Sequence, residues 1–442
     1  YETTFPSVFT NNVAAQPDRL AIVTPTQAVT YAELNHQADR IVAPLFARKH
    51  SAPEPICLLF NQEIAAFAAT IAVLKSGNFY ITLDPLYPQA RLIEILRDSG
   101  ASILLTNNAC LALARQLCPE HVTLLNIDEF STTFVTPPAL AIAPDAYAYI
   151  GYTSGSTGKA KGVIETHRNH ICHWRNLMQA QPNYGNERVL FLNRLSFSGG
   201  QLAFYTALLA GATLYLYDLH STSMADLPAW IQQQQITVWN SVPTVFRTFV
   251  EQIKTPEQVA SLRLLRLASD AVLPQDIEAY RRLCGPSCQL WLGYALTEAK
   301  TVTMAFLDHA TSLVPAEIPN GQPINGMEVW ILDETGQRLG PNQVGEIVVR
   351  SRYVSPGYWR DSALTAARFR PDPDEPGVFL VQTGDLGKVD AKGNLIHKGR
   401  KDTQVKVRGY RVELSEIEAH LASLDGVQEA AVRTFPLTGG DT

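Results

Sequence analysis

A run of hydroxyls, glycines and lysines at positions 153–162 is the segment of this chain best suited to chemistry. Its sequence is TSGSTGKAKG, and it lies between two apolar segments. Glycines allow positive φ angles and a close approach of the backbone to a ligand. Successive free N–H groups then form a concavity that attracts anions, and hydroxyls and lysines add hydrogen bonds and positive charge. The segment therefore predicts a site for a polyphosphate.

This glycine-rich segment departs from the Walker A pattern at two positions. Thr153 stands where Walker A requires its first glycine, and Ala160 follows Lys159 where that motif has serine or threonine. A flexible polar linker is the alternative interpretation, but a linker does not need this order of residue types. Phosphate binding by a different kind of glycine-rich loop is therefore favoured.

Further segments accompany the glycine-rich run in chain order. Those before it are LKSGNFY (74–80) and DPLYP (84–88). Those after it are YALTE (294–298), GEI (345–347) with PGY (356–358), TGD (383–385), and GRKD (399–402) with QVKVRG (404–409). The ordered set resembles the motif series of the adenylate-forming superfamily, most closely the adenylation domains of nonribosomal peptide synthetases. It spans most of the chain and is far more specific than any single motif.

The resemblance implies a two-step reaction that uses ATP and Mg²⁺. A carboxylate attacks the α-phosphate of ATP, giving an acyl-adenylate and pyrophosphate, and the acyl group then passes to the phosphopantetheine thiol of a carrier protein domain. Displacement at phosphorus needs positioning and charge neutralisation more than a covalent catalyst. The residues expected to hold the β- and γ-phosphates are Thr153, Ser154, Gly155, Ser156, Thr157, Gly158 and Lys159.

The resemblance also implies which side chains are catalytic. Lys159 is expected to act with Thr297, which would bond the α-phosphate, and with Glu298, which would bind Mg²⁺, a cation that takes oxygen ligands. The alternative for Glu298 is an exposed carboxylate at a helix N-terminus.

Three more residues are expected around the nucleoside. Asp385 is placed to accept both ribose hydroxyls, because one carboxylate can accept from two O–H donors; its alternative is a turn residue before a strand. Tyr294 is expected to stack on adenine, with a simple core aromatic as its alternative. Arg400 resembles the family arginine that also touches the ribose.

The most informative departure from the family concerns the acid that is activated. Amino-acid-activating relatives carry Phe-Asp where this chain has Phe197 and Ser198, and that aspartate pairs with the α-ammonium group of the substrate. A buried ammonium without its partner costs roughly 2–5 kcal/mol, which a serine oxygen does not repay. The substrate is therefore expected to lack an α-amino group, as 2-oxo, 2-hydroxy and aryl acids do. Substitution by another acidic group, with Asp270 as candidate, is the alternative.

Family pocket positions carried over by local match are His167, Phe197, Ser198, Gly199, Leu202, Asn240, Arg266, Ala268, Gly293, Thr301 and Val302. Two glycines among them are expected to leave room for a long or aromatic substrate side chain. Arg266 either pairs with a polar or anionic group of the substrate or turns to solvent. His167 either gates the pocket or is structural. A 2-oxo acid is the favoured substrate, because such domains belong to synthetases in which a reductase lies after the hinge region.

The elements that must position these residues follow a βαβ pattern. Short apolar strands alternate with amphipathic helices, which predicts mostly parallel sheets covered by helices. The first predicted elements are strand Leu20–Val23, helix Tyr31–Ala47, strand Pro55–Phe60, a helix through Leu74, and strands Ile103–Thr106, Val122–Asn126 and Ala146–Tyr152. From about residue 327 to 398, short strands with glycine turns predict a smaller, more antiparallel β unit.

The expected fold class is therefore α/β. A large N-terminal domain has two mostly parallel, helix-covered sheets and the smaller β unit, and the start of a small α+β domain follows. We expect an adenylation core at 1–401 and, at 402–442, a hinge with the truncated start of the small domain. Asp402 matches the family hinge about which that domain rotates between half-reactions.

Beyond the hinge, the pattern predicts a strand at Gln404–Val407, a helix at Leu414–Leu424 and the start of a strand at Val427–Thr434. Lys406, Arg408 and Arg411 are candidates for contact with a carrier protein, or form a solvated strand face. The family's catalytic lysine would lie further on, so weak adenylation by this piece alone is expected. A first residue that is not Met indicates a fragment of a longer polypeptide.

Composition excludes several classes of function. The 442 residues carry a net charge of −6 without a long basic block, so nucleic acid is not an expected partner. The longest apolar run, near Ile64–Leu74, is too short to cross a membrane, and we expect no signal peptide. Six scattered cysteines give no zinc-site spacing and indicate thiols in a reducing cytosol. A cytoplasmic location is therefore expected.

Three functions stay open at this point. The favoured one is an adenylation domain that works beside other synthetase domains in one polypeptide. The second is a free-standing acyl- or aryl-CoA ligase with the same fold. The third is a catalytically weak nucleotide-binding module that serves as a scaffold.

Overall fold

The structure is a computed structural model in which the chain divides into two compact units. The first unit comprises Tyr1–Tyr152 with Gly162–Asp218, and the second unit comprises Thr153–Lys161 with Leu219–Thr442. The residues that the structure describes are 2–48, 52–131, 138, 140–153, 160–312, 317–401, 404–407, 410–414, 417–418, 421, 424, 427 and 430–434.

The first unit alternates strands with helices. Its helices are α1 (Phe5–Ala15), α2 (Tyr31–Phe46), α3 (Ile64–Lys75), α4 (Gln89–Ser99), α5 (Leu111–Leu117), α6 (His167–Ala180) and α7 (Ser198–Ala210), with short 3₁₀ turns at Ile127–Glu129 and Tyr184–Asn186. Its strands are β1 (Leu20–Val23), β2 (Ala28–Thr30), β3 (Pro55–Leu59), β4 (Phe79–Leu83), β5 (Ile103–Thr106), β6 (Thr123–Asn126), β7 (Tyr147–Thr153), β8 (Lys161–Thr166), β9 (Arg188–Phe191) and β10 (Thr213–Leu216).

Local sequence explains where these helices begin and what they bury. Helix α2 starts at a capping box in which the Glu33 N–H donates to the Thr30 hydroxyl and the Thr30 N–H donates to the Glu33 carboxylate. Helix α3 has no charged residue before Lys75 and buries nearly every side chain, as a helix that is apolar on all faces must. Helix α7 ends at Gly211, whose φ of 80° is the left-handed cap that glycine favours.

The first unit contains a six-stranded sheet in the order β6-β5-β3-β4-β7-β8. Strands β3, β4, β5, β6 and β7 are paired in parallel. A second group pairs β9, β10 and β1 in parallel and β1 with β2 antiparallel. The predicted strands Leu20–Val23 and Ile103–Thr106 are found with those bounds, and the predicted helix that starts at Tyr31 ends at Phe46.

The second unit combines a parallel set of strands with antiparallel β structure. Its helices are α8 (Leu227–Gln233), α9 (Pro243–Val250), α10 (Pro274–Leu283) and α11 (Ser362–Arg368), with 3₁₀ turns at Met224–Asp226 and Pro256–Val259. Its strands are β11 (Val238–Ser241), β12 (Leu264–Leu267), β13 (Gln289–Leu292), β14 (Ala295–Leu296), β15 (Lys300–Thr301), β16 (Thr303–Leu307), β17 (Gln322–Pro323), β18 (Glu328–Leu332), β19 (Gly345–Ser351), β20 (Phe369–Pro371), β21 (Phe379–Val389), β22 (Leu395–Arg400), β23 (Gln404–Val407) and β24 (Tyr410–Glu413).

The pairing of these strands confirms the predicted α/β class. Strands β11, β12 and β13 are parallel, and β16 and β17 extend them antiparallel. Strands β18, β19, β21 and β20, with β22 on β21, form the smaller antiparallel sheet predicted for the region near 327–398. Strand β23 has the predicted bounds and pairs with β24.

Of the elements predicted after β24, the helix is found at its described residues and the strand is not. The described residues 414, 417, 418 and 421 are helical, as expected for the helix after β24. The predicted strand at Val427–Thr434 is wrong at its described residues, 427 and 430–434, which have no strand structure. There the Val432 N–H donates to the Glu418 carboxylate at 2.9 Å instead of to a neighbouring strand.

Candidate active site

The parallel strands of the second unit bring several predicted pocket residues to one edge. Asn240 on β11 lies in register with Arg266 on β12, which lies in register with Trp291 on β13. Ala268 and Gly293 directly follow β12 and β13. The carboxyl ends of parallel strands are where α/β sheets bind ligands, so this edge is a candidate wall of the acid site.

A two-stranded hairpin follows β13 and carries the next group of predicted residues. Ala295 on β14 pairs with Thr301 on β15, and the Val302 N–H donates to the Tyr294 carbonyl at 2.9 Å. Thr297 and Glu298 occupy the turn between these two strands. The hairpin thus holds the expected phosphate, metal and adenine residues on one short segment.

Glu298 is a buried carboxylate held by a neighbouring loop. The Tyr358 hydroxyl donates to its Oε1 at 2.8 Å, and the Ser355 N–H donates to its backbone carbonyl at 2.8 Å. Lys161, the second lysine of the glycine-rich segment, has its Nζ 5.6 Å from the centre of the Tyr358 ring. The alternative of an exposed carboxylate at a helix N-terminus is excluded, because Glu298 is only 3% exposed and lies in a hairpin turn.

Asp385 lies within β21 at the centre of a polar cluster, so it is not a turn residue. Its Oδ2 accepts from the Tyr294 hydroxyl and its Oδ1 from the Arg400 guanidinium, while His397 Nε2 is 3.8 Å away. Burial by itself raises the pKa of Asp385. The nearby His397, the charge of Arg400 and the hydrogen bond from the Tyr294 hydroxyl outweigh the effect of burial and bring that pKa to about 2. The carboxylate is therefore ionised at neutral pH and keeps lone pairs for further donors.

These groups fit a magnesium nucleotide better than a resident metal ion. Within the described residues, no group of three or more His, Cys, Asp or Glu side chains could hold a metal. Mg²⁺ usually keeps several waters and is bound by one or two carboxylates together with substrate phosphates. A single buried carboxylate at Glu298 matches an ion that arrives with the nucleotide. That ion would neutralise charge on the phosphates.

The predicted head-group residues lie at the start of α7 in the first unit. Phe197 is the N-cap residue, Ser198 is the first helical residue, and the first turn contains no acidic side chain. Leu202 is half-buried one turn further on. Ser198 lies near Tyr149, whose pKa is raised well above its usual range by burial and by the nearby Glu165. Both hydroxyls are therefore neutral.

An ion-pair network that the sequence did not reveal positions the loop before α7. Arg194 donates to Asp84 Oδ2 at 2.7 Å and to Asp218 at 3.3 Å, and the Ser196 hydroxyl donates to the same Asp84 oxygen at 2.9 Å. Asp84 opens the DPLYP segment. The DPLYP motif pointed to Asp84, but nothing in the sequence identified Arg194 as its partner.

His167 is structural in its contacts. It is the first residue of α6, is almost fully buried, and its Nδ1 accepts from the Phe5 N–H at 3.4 Å. Burial lowers the pKa of His167 to about 4, so the ring is neutral at physiological pH.

The two predicted pocket glycines lie close to neighbouring side-chain rings. A Cβ at Gly293 would stand 2.4 Å from the Trp291 ring and 2.5 Å from the Thr303 carbonyl oxygen. A Cβ at Gly199 would stand 2.9 Å from the Phe197 ring. A larger residue at either position would therefore meet its neighbours, and the expectation that these glycines leave room for a long or aromatic substrate stays a prediction.

Part of the predicted site lies outside the described residues. The structure describes Thr153, the last residue of β7, whose hydroxyl lies 3.5 Å from the Lys161 carbonyl oxygen to which it donates. The predicted residues that fall outside are Ser154, Gly155, Ser156, Thr157, Gly158, Lys159, Asp402 and Arg408. All six cysteines are described, and all are free thiols. Among the described helices, none combines the length and apolarity needed to span a bilayer.

A family model, curated relatives and a solved structure all place this chain among the same proteins. The family model for "AMP-binding enzyme" matches residues 9–359. Gramicidin S synthase 2 of Brevibacillus brevis is 33% identical over 97% of this chain and 10% of its own length. Phosphinothricin tripeptide synthetase PhsC of Streptomyces viridochromogenes is 34% identical over 98% of this chain and 39% of its own length. The structure of holo-PA1221, an NRPS protein with adenylation and PCP domains, matches with a TM-score of 0.82 and 26% identity, over 97% of this chain and 73% of that one.

The chain belongs to the AMP-binding enzyme family. It is an adenylate-forming ligase with the fold of an NRPS adenylation domain, a class that activates carboxylic acids with ATP and Mg²⁺. The chain spans 10% and 39% of the lengths of the two curated relatives.

Proposed function

We propose that the chain activates a carboxylic acid that lacks an α-amino group, with a 2-oxo acid as the first candidate. The acid is converted to acyl-AMP with release of pyrophosphate, and the acyl group passes to the phosphopantetheine thiol of a carrier domain. The observation that carries the proposal is the neutral start of α7, where Ser198 meets Tyr149 and no acidic residue follows in the first turn.

The chemistry of two neutral hydroxyls supports this choice of head group. An ammonium group held beside Ser198 would lose its hydration without gaining a counter-charge from α7, at a cost of roughly 2–5 kcal/mol. A 2-oxo oxygen instead accepts a hydrogen bond, and a serine hydroxyl can donate one while accepting another from a phenol. The Tyr149–Ser198 pair can therefore orient a carbonyl oxygen.

The nucleotide is assigned to residues of the second unit. Asp385 accepts the ribose hydroxyls with its remaining lone pairs, and Arg400 fixes the carboxylate for that task. Tyr294 lines the adenine site, while Thr297 bonds the α-phosphate and Glu298 binds the metal that accompanies it. The glycine-rich segment from Thr153 to Lys159 holds the outer phosphates.

The acceptor and the domain boundaries complete the proposal. The carrier-domain acceptor is supported by relatives named as a synthase and a tripeptide synthetase, and by a solved neighbour that contains a PCP domain. We assign the adenylation core to 1–401 and place the hinge at Asp402, with the start of the small domain in 402–442. Other synthetase domains of the same polypeptide would be the neighbours.

A charge-restoring substitution tests the proposal. ATP–pyrophosphate exchange is measured with matched 2-oxo, 2-hydroxy and L-amino acids for the unchanged chain and for Ser198→Asp. We expect the unchanged chain to prefer the 2-oxo acid and Ser198→Asp to shift preference toward the amino acid by roughly 10-fold or more. Ser223→Asp, at an exposed capping position, is the matched control and should shift nothing. Preference of the unchanged chain for a plain L-amino acid would overturn the proposal.

A further inference from the structure

Three buried polar groups near the carboxyl edge of β11–β13 lack hydrogen-bond partners within the described part of the chain. They are the side-chain amide of Asn240, the indole N–H of Trp291 and the hydroxyl of Thr301. Buried polar groups in folded proteins are almost always paired with protein or with bound molecules. Three such groups at one sheet edge and its following hairpin therefore indicate a molecule that binds there.

Arg266 adds a positive charge to the same place. It is only 4% exposed, so it does not turn to solvent, and its guanidinium lies 4.4 Å from the centre of the Trp291 ring. Asn240, Arg266 and Trp291 are in register on adjacent strands, so their side chains leave the same face of the sheet.

The side chains at this edge are mostly hydrogen-bond donors. The guanidinium, the indole N–H, the amide NH₂ and the hydroxyl all donate hydrogen bonds, and only the amide and hydroxyl also accept. The complementary group is one or more oxygen acceptors, and a carboxylate suits an arginine best. The Trp291 ring lies beside Gly293 at the same edge.

We propose that the acid activated by this chain carries a second oxygen-rich group, a carboxylate, at the end remote from the reacting carboxyl group. Asn240 and Arg266 bind that group, which makes the substrate a dicarboxylic acid. This inference rests on the proposed function, because it assigns the acid to this edge. It is tested separately from the proposal about the head group.

A two-by-two panel separates the two ideas. Exchange is measured for the full chain with 2-oxoglutarate, 4-methyl-2-oxopentanoate, L-glutamate and L-leucine, which vary the head group and the tail independently. We expect each carboxylate-tailed acid to exceed its apolar counterpart by roughly 10- to 100-fold in kcat/KM, because an apolar tail offers no acceptor to Asn240, Trp291 or Thr301. Equal or better use of the apolar tails overturns this inference alone, and preference for the amino acids overturns the head-group proposal alone.

Slow turnover does not prevent the test, since the same four acids are compared by calorimetric titration in the presence of ATP and Mg²⁺. Tighter binding of the carboxylate-tailed acids supports the inference. Binding that ignores the tail, or no binding of any of the four, overturns it.

Substitutions locate the effect. Arg266→Gln and the isosteric Asn240→Asp should each reduce the preference for the carboxylate tail by roughly 10-fold without raising the KM for ATP, since one removes a positive charge and the other adds a negative one. Arg338→Gln is the matched control, because Arg338 is exposed and stands over Trp330 at 5.1 Å in the same unit. Tail preference that survives both Asn240→Asp and Arg266→Gln contradicts the assignment.

Discussion

Two regions of the second unit differ in how completely the protein satisfies its own polar groups. At the Asp385 cluster, each carboxylate oxygen already accepts a hydrogen bond from Tyr294 or Arg400. At the strand edge, the amide of Asn240 and the hydroxyl of Thr301 have no partner within the described residues. Under the proposed roles, the Asp385 cluster is organised before the nucleotide binds, and the strand edge is completed by the acid.

The difference follows from what each region has to recognise. A nucleotide presents the same ribose in every cycle, so a fixed and ionised carboxylate lowers the cost of organising the site. An acid pocket gains selectivity when wrong substrates leave buried groups unpaired. Unsatisfied groups at the strand edge are thus the expected mark of specificity, whereas the paired groups around Asp385 are the mark of a shared substrate.

The largest loss of activity should come from a substitution in the Asp385 cluster. Asp385→Asn removes the charge that Arg400 faces and the acceptor proposed for the ribose. We expect kcat/KM for ATP to fall by roughly 100-fold, as measured by pyrophosphate exchange. Asp372→Asn removes another buried aspartate that is paired with an arginine, Arg350 at 2.5 Å, and should lower stability without a comparable loss of activity. Equal losses in the two variants would contradict a nucleotide role for Asp385.

The buried imidazole of the first unit gives the next effect, on stability rather than activity. The pKa of His167 is about 4, below that of an unfolded histidine. The unfolded chain therefore binds more protons between pH 6.5 and 4, and stability falls as pH decreases through this window. We expect a loss of about 3 kcal/mol.

Urea unfolding across this window measures the effect, and His167→Asn should flatten the pH dependence that remains. A pH profile unchanged by the substitution would show that His167 is not the titrating group. The exposed His121 offers a control, since His121→Asn should leave the profile as it is.

The pH response of the Asp385 cluster is expected to be slightly smaller and to occur at lower pH. Because the pKa of Asp385 is depressed to about 2, its ionisation stabilises the fold above the unfolded pKa. This contribution, about 2 kcal/mol, is lost as pH falls from about 4 to 2. Unfolding of Asp385→Asn, followed over the same range, should lack this component. Its persistence would assign the transition to other carboxylates.

The smallest effect concerns the hydroxyl pair at α7. Tyr149→Phe removes the phenol near Ser198 and leaves the ring packing in place. We expect the ratio of kcat/KM between 2-oxo and 2-hydroxy acids to change by about 3- to 10-fold, with the KM for ATP constant. Tyr184→Phe, at another fully buried tyrosine of the same unit, is the control. A ratio equal to that of the unchanged chain would separate Tyr149 from selectivity.

The sequence predicted the architecture well because periodicity reports burial. Strands such as Leu20–Val23 and the helix from Tyr31 to Phe46 follow directly from apolar spacing and a capping box. The error at Val427–Thr434 has the opposite origin. Apolar residues there favoured a strand, but no neighbouring strand supplies partners at the described positions, and Val432 bonds to Glu418 instead.

Sequence motifs name the candidate site residues, whose roles stay predictions, but do not give their contacts. Motifs located Asp385, Glu298 and Tyr294, yet sequence gives no distances, and their partners are far away in the chain. The buried tyrosine beside Glu298 and the Arg194–Asp84 pair join residues 60 and 110 positions apart. Sequence alone does not give the orientation of Arg266. Only the packed sheet shows that this side chain is buried over Trp291.

The most direct test of the account is the exchange ratio between a 2-oxo acid and the L-amino acid with the same side chain, measured on one preparation. We predict that the 2-oxo acid is preferred by at least 10-fold, since the start of α7 offers an ammonium group no counter-charge. A ratio that favours the amino acid would contradict the central claim that the neutral hydroxyl at Ser198 defines the substrate.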